Sequence, residues 1–170
     1  MVIQKKLGNL KDFEIGNKTI DMLPVEWYET RKRILHKQTN SGREMVIKFL
    51  GESPDLMQDD VLFIDEALVV AVDIQTCESI VIRPASMQEM ASVCYEIGNK
   101  HLPLFSENDE VLVPFDAPLF RMLKAAGYNA AQQNRKLLYP VKTTVAAHSH
   151  NGNGSLFSRI LQLTNPSSNV

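Results

Sequence analysis

Apolar and polar positions follow two different rules along this chain. Over roughly the first seventy residues the apolar positions come in short runs, each closed by a turn signal. Val2-Ile3 ends before Gly8-Asn9, and Thr19-Ile20-Asp21-Met22-Leu23 follows the turn at Gly16-Asn17. The stretch Thr30 to Lys37 returns through Asn40-Ser41-Gly42 into Met45-Val46-Ile47-Lys48-Phe49-Leu50. Val61-Leu62-Phe63-Ile64 then turns at Asp65-Glu66 into Leu68-Val69-Val70-Ala71-Val72. Short strands between turns, with no helical period, predict a small all-β module.

After Asp73 the pattern changes. Ser79-Ile80-Val81-Ile82-Arg83 reads as a strand, and Ser86 with Glu89 three residues on reads as a capping box. Met87, Met90, Ala91, Cys94 and Ile97 recur at three and four, the spacing of one apolar helical face. Gly98 or Asn99 is the expected left-handed stop. Leu102 to Phe105 and Val111 to Val113 predict a strand pair about Glu107-Asn108-Asp109. Asp116 caps a second helix that Gly127 ends, and Leu137-Leu138-Tyr139 before Pro140 reads as the last strand. This order is βαββαβ, the ferredoxin-like arrangement. The expected fold class is α+β: an all-β domain over 1–75, a ferredoxin-like domain over 76–143, and a flexible tail over 144–170. The tail reading rests on Asn151-Gly152-Asn153-Gly154, a linker composition, followed by the short amphipathic stretch from Ser155 to Leu163.

Composition narrows the function classes. The 170 residues are 44% apolar and 22% charged, enough to bury a core. A formal charge of −2 gives no electrostatic case for nucleic acid or an anionic membrane. Met1-Val2-Ile3 runs into Lys5-Lys6 without an apolar signal core, and no apolar run nears the ~20 residues of a spanning helix. The expectation is therefore a cytoplasmic protein with no membrane partner. Cys77 and Cys94 form neither a zinc motif nor a Cys-x-x-Cys pair, and Cys94 reads as a small core residue. A Cys94/His101 dyad has no third group in sequence to orient it.

Candidate chemistry centres on histidine. His101 follows the helix stop at once and precedes the apolar Leu102-Pro103-Leu104-Phe105, so it sits in a tight connection. A histidine held that way suits a metal ligand, although a surface histidine with no role is the ordinary reading. His148 and His150 lie on the tail. In a two-fold dimer with His101 near the axis, two rigid imidazoles face one another and the tail pair completes the shell. An all-nitrogen set suits nickel, copper or zinc. In the β module, Trp27-Tyr28 reads as core or as part of an apolar peptide groove. Arg31, Lys32, Arg33 and Lys37 read as a solvated basic face that includes His36.

Several of these residues together resemble a known family. Gly8-Asn9, Val25-Glu26-Trp27, Lys32-Arg33-Ile34, Met87-Gln88-Glu89-Met90 and above all Tyr95-Glu96-Ile97-Gly98-Asn99-Lys100-His101 look like the urease accessory nickel metallochaperones, the UreE family. The resemblance spans nearly the whole chain. It implies a non-enzymatic homodimer joined through the C-terminal domain, with His101 of each copy meeting at the interface to bind Ni(II). It implies delivery of nickel for assembly of the urease active site, with the urease accessory G protein and the urease apoprotein complex as partners. Zn(II) or Cu(II) would compete for such a site in vitro. Many relatives end in a longer histidine run, but shorter-tailed relatives use one or two tail histidines, so the resemblance carries over His148 and His150 as auxiliary ligands. Glu96 stands where some relatives have an additional histidine, so that site is not carried over. The family's N-terminal module resembles a peptide-binding domain, which implies a partner-facing role for Trp27 and its basic neighbours.

Two other classes compete with this reading. One is a peptide-binding adaptor whose metal binding is incidental; equilibrium dialysis with nickel separates the two. The other is a thiol or metal-dependent hydrolase, which requires an exposed and reactive Cys94.

Overall fold

The computed structural model describes residues 1–51 and 54–142. They fall into two compact units, Met1–Gln75 and residues 76–142.

The first unit is built from strands, with one turn of 3₁₀ helix at Leu10–Asp12 and another at Trp27–Glu29. Strands β1 (Val2–Ile3), β5 (Glu44–Lys48) and β4 (Ile34–Gln38) form one sheet in that order. A second sheet runs β2 (Gly8–Asn9), β6 (Asp60–Ile64), β7 (Leu68–Ile74), β3 (Thr19–Val25). The Asn40-Ser41-Gly42 turn joins β4 to β5 as an antiparallel hairpin, with Ile34 opposite Lys48 and Gln38 opposite Glu44. Two pairings have no local signal: β1 with β5 and β3 with β7 are parallel. Parallel partners cannot be joined by a tight turn, so they come from distant parts of the sequence. Leu23, Val25, Met45, Ile47, Val61, Val69, Val70 and Val72 are each fully buried and supply the core.

Alternation on β4 divides its side chains between two faces. Leu35 is buried and Lys37 half-buried on one, while Ile34, His36 and Gln38 are exposed on the other. His36 therefore does not share a face with Lys37. Nor is the basic cluster a free patch, because Glu29 takes both Lys32 and Lys37 and Asp55 takes Arg31 at 3.0 Å. Trp27 and Tyr28 meet edge to face, 5.5 Å between ring centroids, and are half-buried, neither core nor fully exposed.

In the second unit β8 (Thr76–Ile82), α1 (Met87–Asn99), β9 (Phe105–Glu107), β10 (Glu110–Pro114), α2 (Ala117–Ala125) and β11 (Ala130–Lys136) follow one another as βαββαβ. Sheet order is β11-β8-β10-β9 with every neighbouring pair antiparallel, the ferredoxin-like topology. Ile80, Ile82, Val111 and Val113 from the sheet pack with Val93 and Ile97 of α1 and Leu119 and Leu123 of α2. Asp116 caps α2 as its sequence predicts, its carboxylate accepting the Leu119 N–H at 2.8 Å.

The last strand differs from its expectation. It is the polar run Ala130–Lys136, paired with β8 over its whole length, and not Leu137-Leu138-Tyr139. An edge strand solvated on one face carries few apolar residues, whereas Leu137 is apolar because it is 1% exposed in the span that follows. That span carries the chain from one edge of the sheet to the other. There Phe105 lies opposite Pro140, the Ser106 N–H donates to the Tyr139 carbonyl at 3.1 Å, and the Val141 N–H donates to the Leu104 carbonyl at 2.8 Å. Pro140 occupies the position between these two bonds, where a missing N–H costs nothing. The expected tail, 144–170, lies outside the described residues.

Candidate metal-binding site

His101 is presented by the end of α1, so the helix comes first. Ser86 is its N-cap, the hydroxyl accepting the Glu89 N–H at 3.1 Å. The reciprocal half of the expected capping box is displaced by one residue: Glu89 Oε2 accepts from the Ala85 N–H at 2.8 Å, not from Ser86. Val93 and Ile97 are fully buried and Met90 and Cys94 are partly buried against the same core. Two members of the predicted apolar face lie elsewhere. Met87 is 82% exposed and Ala91 is exposed, and with Tyr95, 70% exposed, they recur every four residues along a second, outward stripe. A helix with two apolar sides buries only one against its own sheet.

The C-terminus of α1 departs from its prediction in the residue that matters most. Gly98 and Asn99 both lie inside the helix, Lys100 is the C-cap with φ −89°, and the left-handed residue is His101 itself, at φ 54°. The His101 N–H donates to the Gly98 carbonyl at 2.9 Å and the Leu102 N–H to the Ile97 carbonyl at 3.5 Å. These two bonds, with Leu102 packed on the core that holds Ile97, are the Schellman closure. Helix α2 ends the same way: Gly127, at φ +84°, donates to Lys124 and Tyr128 donates to Leu123, both at 3.1 Å. One of the two equivalent positions holds glycine, which adopts this conformation freely. The other holds an exposed histidine, which does not. A strained backbone at a chemically capable side chain points toward function.

The electrostatics favour a cation here. A helix C-terminus carries partial negative charge, worth about 0.3–1 kcal/mol to a nearby positive group. No group of three or more His, Cys, Asp or Glu side chains converges among the described residues. His148 and His150 lie outside the described residues. Cys94 does not complete a dyad. Its thiol packs beside Met90 at 4.0 Å against the core, and burial raises its pKa, the opposite of the shift that activates a cysteine. Leu102 and Val141 hold the two ends of the connection after His101; the apolar run from Leu102 belongs to the sequence reading, whereas Val141 was missed. Leu102 is detectable as the apolar residue following a left-handed cap; Val141 carries no local signal. Among the described residues no helix is long and apolar enough to cross a membrane.

Comparison with known proteins agrees with this architecture across both units. The family model described as "UreE urease accessory protein, N-terminal domain" matches residues 3–75, and "UreE urease accessory protein, C-terminal domain" matches residues 78–155. The chain is 44% identical over 163 residues to the urease accessory protein UreE of Flavobacterium johnsoniae, covering 96% of this chain and 99% of that one. It is 42% identical over 149 residues to the protein of the same name from Actinobacillus pleuropneumoniae, covering 85% and 80%. The UreE of Acetivibrio thermocellus is 36% identical over 151 residues, covering 88% and 97%. These relatives are named as accessory proteins and not as enzymes. With both of its units matched in order, the chain belongs to the UreE urease accessory protein family.

Proposed function

We propose that this chain is a nickel-binding metallochaperone, accessory to urease, that delivers Ni(II) for assembly of the urease active site. The observation that carries the reading is His101, held left-handed and exposed at the end of α1 where glycine would be the easier choice. Neutral imidazole is a good ligand for Ni(II), and equally for Cu(II) or Zn(II), which compete in vitro. One imidazole does not hold a cargo ion, so the reading requires ligands from elsewhere. A second copy supplies the first: the outward stripe of Met87, Ala91 and Tyr95 gives a homodimer an apolar surface on the same helix that His101 follows. His148 and His150 supply the rest. The Val141 N–H donates to the Leu104 carbonyl, so the end of the described chain is tied to the connection that follows His101. His148 follows Lys142 by six residues in sequence, a contour length of at most ~20 Å.

A ligand shell shared between two copies and a tail opens without unfolding either unit, which suits a carrier that must release its metal. The recipients are the urease apoprotein complex and the urease accessory G protein, in the cytoplasm. The N-terminal unit then serves partner recognition, a role favoured by the half-exposed Trp27–Tyr28 pair. Equilibrium dialysis against nickel tests the proposal. A dimer that retains about one tightly held nickel per two chains supports it. A protein that retains none is instead an adaptor, with the Trp27–Tyr28 surface as its working part.

A further inference from the structure

The connection between α1 and β9 is five residues long, the C-cap Lys100 and then His101-Leu102-Pro103-Leu104. The helix closure fixes its first end. Its second end would otherwise hang on β9, a three-residue strand at the edge of the sheet, and so short an edge strand frays readily. The span after β11 changes this. Crossing to the far edge, it lays Tyr139–Val141 along β9, and the Val141 N–H reaches the Leu104 carbonyl at 2.8 Å. Leu102 and Leu104 are both packed against the core between these two anchors, and Pro103 between them has a fixed φ.

We infer that Val141 is a positioning residue for His101: its backbone N–H anchors the far end of the connection whose near end the helix cap anchors. The inference rests on the reading of His101 as a nickel ligand, but its physical content concerns the backbone alone. The Val141 side chain is 50% exposed and the residue follows Pro140, so its contribution lies in the N–H and not in packing. With the far end released, only the two cap bonds and the Leu102 contact hold His101 left-handed, against alternative backbone basins that are lower in energy.

The test compares Val141→Pro, which deletes the donor, with Val141→Ala, which keeps it. In the metal-free full chain, the His101 ring resonances shift toward those of an unstructured histidine in Val141→Pro and stay at wild-type positions in Val141→Ala. The methyl resonances of Ile80, Val93 and Val111 remain unchanged in both. Nickel affinity falls by about tenfold or more in Val141→Pro, as for the loss of other supporting contacts, and within about twofold of wild type in Val141→Ala. Identical His101 resonances in the two variants overturn the inference. Should Val141→Pro lose the core resonances, amide exchange in the wild-type protein decides: a protected Val141 N–H supports the anchor, and exchange at the unprotected rate refutes it. Nickel binding that survives His101→Ala defeats the metal reading, while the ring resonances still report on the anchor.

Discussion

Replacing His101 with glycine should make the protein more stable and remove its proposed function in one step. At φ 54° the histidine occupies a region that costs an L-residue about 1–2 kcal/mol relative to its preferred basins. Glycine removes that cost but adds freedom to the unfolded chain, which returns about 0.4–1 kcal/mol. The exposed side chain contributes little packing that could be lost. The two closing bonds, to Gly98 and Ile97, come from the backbone and survive the change. The net expectation is a gain of about 0.5–1 kcal/mol. For a unit of this size that is a rise of roughly 3–6 °C in its unfolding transition. Differential scanning calorimetry of the metal-free protein measures it, with His101→Ala as the control. Alanine keeps a Cβ at the left-handed position, so it should gain nothing over wild type. Equal transitions for the glycine and alanine variants would show that the position is not strained, and the argument from strain to function would fall with it.

Other consequences follow from the same structure. Gly127→Ala, at φ +84° with open space around the new Cβ, should destabilise the second unit by about 1 kcal/mol, measured by denaturant unfolding. Burial acting on Asp21 alone would raise its pKa, but hydrogen bonds from the Ser41 hydroxyl, Thr39 and the Ser41 N–H, together with Arg43, outweigh it and lower the value. A depressed carboxylate contributes stability that is present above its unfolded pKa of about 3.9 and lost as pH falls through the folded one. The stability difference between wild type and Asp21→Asn, followed by urea unfolding, should therefore shrink from pH 5 downward; a constant difference would mean the charge is immaterial. Tyr95→Glu on the outward stripe should weaken self-association in sedimentation velocity without lowering the unfolding temperature of the unit at equal monomer concentration.

Much of this architecture can be read from residue pattern. Turn residues punctuate the strands of the first unit, and the period-3.6 segments with Ser86 and Asp116 before them give both helices and their starts. The failures have physical causes. Parallel pairing of β3 with β7 depends on contacts between segments more than forty residues apart, which no local pattern encodes. The polar β11 hides because an edge strand needs few apolar residues. Most instructive is the end of α1. Glycine is the strongest stop signal, yet Gly98 stays helical because Ile97 is buried before it and Leu102 must reach the same core after it. That demand fixes the left-handed residue at 101, and it can be read only from packing. His101 as a candidate ligand was legible in the family-like segment from Tyr95; its strained backbone was not.

Calorimetric titration of nickel into wild type, His101→Ala and a His148→Ala/His150→Ala double variant tests the central claim most directly. Each dimer carries His101→Ala twice, so both inner ligands disappear together. The account predicts about one tight nickel per two chains in wild type. It predicts that affinity falls by an order of magnitude or more in His101→Ala and by less in the double tail variant. Wild-type affinity and stoichiometry in His101→Ala would contradict it, because the metal would then be held by residues other than the one this fold strains itself to present.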